Sequence, residues 1–412
     1  MDRRRPVAGV AFPLFLTAAL LAARAAAAPP LSDPTGAELP PSIHLTVPWL
    51  YWVLAPFFTL WDGISMLSMS RLRGFLLGLA ILYVAWRVGR ALWHRYAWSA
   101  VPLSRGVLGR EVRLLLICLV LLAAFLAVGA LWHRPMLALA GTEQDEAVVD
   151  FHSHTNVSHD VRGTLMRGFD TEANLRWHRR AGFDAVFITD HNTVAGLTPH
   201  SGTPARCPGI EVSAWKAHIV LLGDSLPVER RRYNSSFQAL LELLRTSDST
   251  YGALSVASLP EYEENHWTHL DSLVNAGLDG FEIVNAAPKA NEFSRARRDT
   301  VIALARRTNR FVVGVSDIHG WGATSLVWNL VRVPGWHAPG TRLCDMILSR
   351  LREGFPAVRM VERHHLVAES AWPLWLTPIG VIWETWRGMG WGLAASWLGW
   401  IWGTWSLRRR LL

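Results

Sequence analysis

The residues of this chain that could do chemistry are histidines and carboxylates in short, evenly spaced groups. His152 and His154 are two residues apart, and Asp317 and His319 repeat that spacing far along the chain. Residues two apart on a β-strand project to the same side. Two imidazoles on one buried face are difficult to accommodate without a cation, because imidazole nitrogen is a common metal ligand. The spacing predicts a metal site, with paired structural histidines as the simpler alternative.

Seven short apolar runs in the middle of the chain are typical of strands, and helical patterns lie between several of them. The runs are 147–150, 185–189, 210–212, 218–222, 253–257, 280–284 and 311–315. The helical patterns are 171–181, 236–245, 269–275 and 291–307. Strands that alternate with helices predict an α/β fold with a mostly parallel sheet, and the number of repeats favours a barrel over an open sheet.

Ligand-capable residues follow or lie within these runs. They are His159, Asp190, His191, Glu211, His218 and Glu282. Because the active groups of a parallel barrel lie at the carboxyl ends of its strands, these side chains are predicted to converge at one end of the fold. Taken singly, His218 or Glu282 is as easily a structural residue as a functional one.

Four ordered motifs resemble the polymerase-and-histidinol-phosphatase (PHP) family. They are HxH at 152–154, TDH at 189–191, the following Glu211, and SDxH at 316–319. The resemblance covers roughly residues 150 to 319 and extends weakly to about 367. It implies a distorted (βα)7 TIM-like barrel that holds two or three divalent metal ions.

The family pattern also implies roles for single residues. One metal site would comprise His152, His154, Glu211 and Asp317. A second would comprise His159, His191 and His319. Glu211 would bridge to a further ion that is also held by His218. The catalytic residues implied are Asp190, His218 and Asp317, with Asp190 orienting a ligating histidine from behind.

This chain departs from the family pattern at Leu259, where the family has another histidine ligand. Two alternatives follow. Either a nearby residue replaces the missing ligand, or the site holds two metals with altered chemistry. The candidate replacements are Glu261, Glu263, His266 and His269.

Imidazole and carboxylate ligands without thiolates suit Zn, Mn or Fe. The resemblance implies a metal-dependent phosphoesterase that uses metal-bound hydroxide on a phosphorylated small molecule or envelope component. Arg162, Arg167 or Lys216 could meet a substrate phosphate, although such residues are more often solvated surface charges. The alternative function is a module that has lost turnover and serves in binding or sensing while held on a membrane.

Apolar segments flank the central region and divide the chain into four parts. These are a signal peptide or membrane helix at 1–28, a membrane-associated region at 43–140, a PHP domain at 147–367 and a Trp-rich membrane segment at 372–412. The uncharged run 114–132 is the clearest membrane helix. Segments 47–69 and 74–93 are ambiguous, and if only one crosses, the positive-inside tendency places the PHP domain outside the cytoplasm.

The net charge of +8 is carried largely by arginines at the ends of apolar segments, which is typical of cytoplasmic-side anchors. The sequence therefore predicts a bacterial inner-membrane protein in contact with the lipid bilayer, and no nucleic-acid partner is expected. Cys118 lies in an apolar run. Cys207 and Cys344 could pair if the central domain is extracytoplasmic.

Overall fold

A computed structural model describes residues 5–97, 105–223, 226–322 and 324–411. The predicted signal segment 1–28 and the basic run Arg3 to Arg5 therefore lie partly outside the described residues. The helices before the central region are α1 (Arg5–Ala25), α2 (Trp49–Val53), α3 (Ala55–Ser65), α4 (Met69–Ala97) and α5 (Arg105–Leu131). The strands there are β1 (Leu31–Ser32), β2 (His44–Thr46) and β3 (Ala138–Ala140).

The central region contains most of the strands. They are β4 (Glu146–Asp150), β5 (Ala185–Ile188), β6 (Ala205–Ala214), β7 (Ala217–Leu222), β8 (Leu254–Ala257), β9 (Gly280–Asn285), β10 (Phe311–Val315), β11 (Val327–Arg332) and β12 (Val358–Arg363). Its helices are α6 (Thr171–Ala181), α7 (Arg230–Tyr233), α8 (Phe237–Tyr251), α9 (Leu259–Asn265), α10 (Leu270–Asn275), α11 (Arg295–Thr308) and α12 (Leu343–Leu351). The chain ends with α13 (Thr377–Gly388) and α14 (Trp391–Leu411).

The described strands form a curled ten-stranded sheet in the order β1-β12-β11-β4-β5-β6-β7-β8-β9-β10, and β2 pairs separately with β3. The seven predicted strands are β4 to β10, and they lie side by side in chain order. The sheet curls, and the segments that follow its strands β4 and β10 contact each other. The backbone N–H of Asp317 donates to the carbonyl of His152 at 3.0 Å. The α/β class is confirmed as a half-barrel sheet with helices, and full closure into a (βα)7 barrel stays a prediction.

One hairpin makes the series of strands from β4 to β10 mixed rather than uniformly parallel. β6 and β7 pair antiparallel, as do β7 and β8, whereas β4 to β6 and β8 to β10 pair parallel. The turn between β6 and β7 consists of Trp215 and Lys216, whose φ angles of 40° and 60° are left-handed. Such a two-residue turn reverses the chain directly. The first residues of β7 therefore lie beside the carboxyl end of β6.

The helices begin and end where the sequence supplies caps. Asp170 accepts a hydrogen bond from the N–H of Ala173 at the start of α6, and Gly182 ends that helix with a φ of 89°. Ser236 and Gly252 do the same for α8. These caps satisfy terminal backbone groups and explain why the predicted helix 171–181 has the bounds of α6.

Two described helices are long and apolar enough to cross a membrane, namely Met69–Leu92 within α4 and Gly109–Leu131 within α5. Only 11% and 6% of their apolar windows are buried in the protein. The predicted helix 114–132 corresponds to α5, and the ambiguous segment 74–93 belongs to α4. Segment 47–69 is divided into α2 and α3 at Leu54, and Pro56 lies in the first turn of α3.

A buried ion cluster joins these helices to the central region. Asp62 of α3 lies 2.8 Å from a guanidinium nitrogen of Arg363 and 3.4 Å from one of Arg134, and it accepts a hydrogen bond from Tyr51 at 2.8 Å. Asp62 is fully buried, and Arg134 is 1% exposed. Removing one partner from such a cluster leaves an uncompensated buried charge, so the cluster fixes how the helices sit on the domain.

A disulfide links Cys207 of β6 to Cys344 of α12, with the two Cα atoms 5.4 Å apart. Cys118 on α5 is free and exposed. The bridge closes a long loop, since 137 positions separate its cysteines. A cross-link of this kind stabilises a fold mainly by restricting the unfolded chain.

We expect thiol titration of the denatured, unreduced protein to find one free thiol per chain out of three cysteines. Replacing the pair (Cys207→Ser with Cys344→Ser) should lower the free energy of unfolding by about 2–5 kcal/mol, measured by thermal melting. Cys118→Ser is the matched control and should leave the melting temperature unchanged. Three titratable thiols in the unreduced protein would contradict the pairing.

Candidate metal centre

Glu211, at the carboxyl half of β6, lies at the centre of a cluster of imidazoles. Its Oε2 atom is 2.9 Å from Nδ1 of His191 and 3.3 Å from Nε2 of both His152 and His154. Its Oε1 atom is 3.1 Å from Nδ1 of His218. Glu211 Oε2 and His191 Nδ1 are buried and have no hydrogen-bond partner in the described protein. Buried polar atoms are normally satisfied, so this arrangement fits a bound cation.

Three groups of ligand atoms overlap around Glu211, and the atoms of each group lie within 4.8 Å of one another. The groups are His152, His154 and Glu211; His191, Glu211 and His218; and His154, Asp160, His191 and His319. Imidazole nitrogen together with carboxylate oxygen is a donor set that suits divalent transition metals. The chain therefore contains a cluster that could hold divalent metal ions.

Asp317 lies beside the first of these groups. Its Oδ1 atom is 3.2 Å from Nε2 of His154 and 3.5 Å from Nε2 of His152. Its backbone φ of 45° is unusual for a residue with a side chain, and such strain concentrates at functional sites. His319 follows it, and its Nδ1 lies 2.8 Å from the carbonyl oxygen of Asp317.

Asp160, which the sequence analysis did not select, lies inside the cluster. Its Oδ2 atom is 2.6 Å from Nε2 of His319 and 3.1 Å from Nε2 of His191. The predicted ligand His159 lies outside the three groups, although its ring centroid is 4.8 Å from that of His191. The family motif aligns with His159, so the signal that could have revealed Asp160 was the carboxylate in the next position.

The fold explains how distant parts of the chain meet here. His152 and His154 follow β4, and His191 follows β5, whose parallel pairing places their carboxyl ends together. An isolated backbone bridge joins His191 to Glu211. His218 joins them because the β6–β7 hairpin brings the start of β7 to the end of β6.

Carboxylates hold the deepest imidazole in its charged form when no cation is present. Burial opposes protonation of His152, but the negative charges of Glu211, Asp317 and Glu282 raise its pKa well above the usual value. Burial likewise opposes ionisation of Glu211, and the neighbouring histidines lower its pKa well below the usual range. Without a cation, a proton on His152 therefore neutralises negative charge of the carboxylates that a bound metal ion would otherwise neutralise.

The same balance acts at the second edge of the cluster. Burial would lower the pKa of His191 and of His319, but Glu211 and Asp160 raise that of His191 to about 10. Asp160 and Asp317 raise the pKa of His319 to about 9. Burial opposes ionisation of Asp160, yet hydrogen bonds from His191 and His319 lower its pKa below the usual range.

Glu282 of β9 contacts His152 at Nδ1, the ring nitrogen opposite the one that faces Glu211. Its Oε1 atom is 2.6 Å from Nδ1 of His152, and its Oε2 accepts the backbone N–H of Leu259 at 2.9 Å. Asn285 donates to both Glu282 and Asp317, at 3.0 Å and 3.1 Å. A carboxylate on the far nitrogen of a ligating imidazole fixes its orientation and raises its basicity.

Asp190, predicted to orient a ligating histidine, contacts a different group. Its carboxylate accepts hydrogen bonds from the backbone N–H and the hydroxyl of Thr155, at 2.6 Å and 2.8 Å. Burial raises the pKa of Asp190. Asp190 therefore fixes the residue that follows His154, and the imidazole-orienting contact belongs to Glu282.

Of the four candidate replacements for the missing ligand, Glu261 comes nearest the cluster. Its Oε2 atom is 3.8 Å from Nδ1 of His218, and burial raises its pKa. The other three have partners elsewhere: Glu263 pairs with Arg297, His266 lies 3.0 Å from the carbonyl of Trp215, and the ring of His269 lies against Phe237. Leu259 itself is buried, and its backbone N–H donates to Glu282.

A cavity of about 480 Å³ adjoins the cluster. Its lining combines His191 and His218 with polar and charged groups from the hairpin and the segment that follows. The lining residues outside the ligand groups include His159, Ser213, Lys216, Arg230, Asn234 and Glu261. The cavity provides space for a substrate on one side of the cluster, with two cationic side chains at its edge.

No protein-family model and no curated protein matches the sequence. Solved structures are similar at low identity. A protein assigned as a metal-dependent phosphoesterase from Bifidobacterium adolescentis is 17% identical, with a TM-score of 0.33 over 43% of this chain and 89% of its own. PsfC from Pseudomonas syringae is 16% identical, with a TM-score of 0.35 over 58% of this chain and 96% of its own.

An amidohydrolase from Chromobacterium violaceum, solved with bound sulfate and without metal, is also similar. It is 16% identical, with a TM-score of 0.28 over 48% of this chain and 95% of its own. Similarities this distant assign no function to this chain.

We expect metal affinity to rise with pH, because His191 and His319 hold protons that a cation must displace. Below pH 9, each displaced proton should tighten binding by about tenfold per pH unit. Calorimetric titration with Mn²⁺ between pH 6 and 8, in buffers of different ionisation enthalpy, measures both the affinity and the released protons. His319→Asn should reduce the release by about one proton, and an affinity independent of pH would contradict the prediction.

Proposed function

We propose that this chain is a membrane-anchored, metal-dependent phosphoesterase of the PHP type. The observation that carries the proposal is the pair of unsatisfied buried atoms, Glu211 Oε2 and His191 Nδ1, which face each other 2.9 Å apart among further imidazoles. Two potential ligand atoms this close together, among further imidazoles, form the kind of donor set that a divalent cation binds.

We assign the ligands by the three overlapping groups. His152 and His154 with Glu211 and Asp317 would hold one ion. Asp160, His191 and His319 would hold a second. Glu211 and His218 would hold a third, with Glu261 as the nearest further carboxylate. Whether two or three ions bind, and whether they are Zn, Mn or Fe, belongs to the proposal.

Divalent ions held there would activate a water molecule near neutral pH and offset the charge that develops on phosphoryl oxygens. In the hydrolysis, the phosphorus–oxygen bond to the alcohol breaks, a bond from phosphorus to the water oxygen forms, and the alcohol leaves with a proton. Asp317 and Glu211 would hold the ions, and Glu282 orients His152. His218 lies between the ligand cluster and the cavity, where it could also contact the reacting phosphoryl group.

Lys216 and Arg230 support a phosphorylated substrate rather than a neutral one. Both line the cavity beside His218, and both are exposed. Lys216 occupies the left-handed turn between β6 and β7, whose backbone is held by Asn234, Asn265 and His266. A turn held in this way fixes the backbone from which the Lys216 side chain reaches the cavity.

The placement of charges supports a topology with the domain outside the cytoplasm. The ends of α4, α5 and α14 that are remote from the domain carry basic residues. These are Arg87 and Arg90, Arg110 and Arg113, and Arg408, Arg409 and Arg410. Basic helix ends favour the cytoplasmic side. The Cys207–Cys344 disulfide of the domain supports the same topology, because disulfides persist mainly outside the cytoplasm.

The alternative of a binding or sensing module rests on Leu259, which offers no ligand where the family has a histidine. The two functions differ in turnover. We expect the full-length protein to release inorganic phosphate from at least one soluble phosphoester, with stimulation by Mn²⁺ or Zn²⁺. His152→Ala should lower this rate by at least about 100-fold, because it removes a ligand that Glu282 positions.

His337→Ala is the matched control, since His337 is exposed and stacks on Trp336 away from the cluster. It should leave the rate unchanged. Leu259→His should raise the rate or the metal affinity if a missing third-ion ligand limits turnover. Metal-independent release, or no release from any phosphoester in a broad screen, would exclude the phosphoesterase and favour the module.

A further inference from the structure

The apolar helices meet the domain at the carboxyl ends of its strands, which is the end that carries the metal ligands. The N–H of Met69, the first residue of α4, donates to the carbonyl of Pro288 at 2.9 Å. Asn291 donates to the carbonyl of Met66 at 3.3 Å. Pro288 and Asn291 follow β9, the strand that carries Glu282.

The second contact lies next to a ligand. Arg134, three residues after the end of α5, donates to the carbonyl oxygens of Trp321 and Gly322 at 3.1 Å and 3.4 Å. Trp321 is two residues beyond His319. A third contact is the pairing of Asp62 with Arg363, the last residue of β12. β11 is antiparallel to both β12 and β4, so Arg363 lies at the same end of the sheet as His152.

These contacts fix an orientation. Met69 and Leu131 are the domain-side ends of the two candidate membrane spans. Both lie beside loops that follow β9 and β10, whereas attachment at the other end of the strands would turn the ligands away from the helices. The metal centre is therefore on the membrane-facing side of the domain.

A loop beside the metal centre has the composition of a membrane-contacting segment. Leu165 is 80% exposed, and the flanking Arg162 and Arg167 are also exposed. Neither arginine forms an ion pair with another residue of the described chain. Met166 in this loop packs close to Gly320, the residue after His319. An exposed leucine between two arginines fits an anionic bilayer surface, where each basic residue attracts headgroups.

We propose that the metal centre faces the bilayer and hydrolyses a phosphoester attached to a lipid anchor, with residues 162–167 resting on the membrane surface. This inference rests on the proposed phosphoesterase function and names its substrate class. The bilayer then presents the phosphoryl group to the cluster, and the lipid portion stays in the membrane while the phosphate leaves.

The orientation is tested without activity by placing a fluorescent label in the full-length protein. In a Cys118→Ser background without reductant, Leu165→Cys gives one labelling site, and the protein is reconstituted into vesicles of equimolar phosphatidylcholine and phosphatidylglycerol. Quenching by nitroxide lipids should be strong at position 165. Ser249→Cys is the matched control. Ser249 is exposed near the end of α8 that precedes β8, and therefore lies at the amino ends of the strands, away from the metal ligands. Equal quenching at the two positions would overturn the orientation.

The substrate class is tested with two probes that share a phosphomonoester. We expect the full-length protein in those vesicles to have a kcat/KM for phosphatidic acid at least tenfold above that for glycerol 3-phosphate. Arg162→Ala with Arg167→Ala should lower the ratio of the first value to the second by about fivefold for each arginine, because a contact with the membrane surface acts only on the lipid substrate. Arg245→Ala, on the exposed side of α8, is the control and should change neither.

The outcomes separate this inference from the proposed function. Turnover of glycerol 3-phosphate without preference for the lipid overturns the lipid-anchored substrate and leaves the phosphoesterase intact. If the protein hydrolyses neither probe and no other phosphoester, the proposed phosphoesterase function is excluded. The quenching experiment still decides which way the cluster faces.

Discussion

The structure depends on the need to neutralise buried carboxylates around Glu211. The carboxylates of Glu211 and Glu282 are buried, and that of Asp317 is nearly so. Isolated buried charge is strongly unfavourable. Four strand ends and one hairpin meet at the same point, so that each of these carboxylates contacts at least one imidazole. Protons or metal ions must complete the charge balance. This requirement explains why the pKa values of His152 and His191 are raised.

A second buried charge cluster governs how the domain sits on its helices. Asp62 is enclosed by Arg134, Arg363 and Tyr51, each supplied by a different segment of the chain. The guanidinium of Arg134 also lies 3.7 Å from the centre of the Trp61 ring. Such a cluster adds little net stability but strongly disfavours other arrangements of the same segments. It holds the ends of α3 and α5 against the loop that carries His319, so the apolar helices and the candidate metal centre share one structural support.

Much of the site could be read from the sequence because its residues lie at strand ends with regular spacing. The pairs His152 and His154, and Asp317 and His319, mark strand ends directly, and the seven central strands are local apolar runs. Asp160 was missed because the resemblance indicated His159, and only the fold of the loop brings Asp160 close to His191 and His319. Asp190 binds Thr155, and its role in orienting a ligating histidine stays a prediction.

Other features depend on contacts that no local pattern contains. β11 and β12 come late in the chain and pair antiparallel beside β4, so they widen a sheet that the repeat pattern describes as seven strands. Segment 47–69 has the composition of a single membrane helix, yet Asp62 binds two distant arginines and Pro56 begins a new helix. The role of Glu282 likewise follows from its distance to His152, which spacing in the sequence cannot give.

The central claim is that this cluster binds metal ions through Glu211, and metal analysis of the purified full-length protein tests it most directly. After dialysis against metal-free buffer, the unaltered protein should retain at least two equivalents of Mn, Zn or Fe per chain. Glu211→Gln should retain less than half of that amount, while Glu172→Gln, at an exposed carboxylate, should retain it all. One equivalent or none in the unaltered protein, with folding intact, would contradict the account.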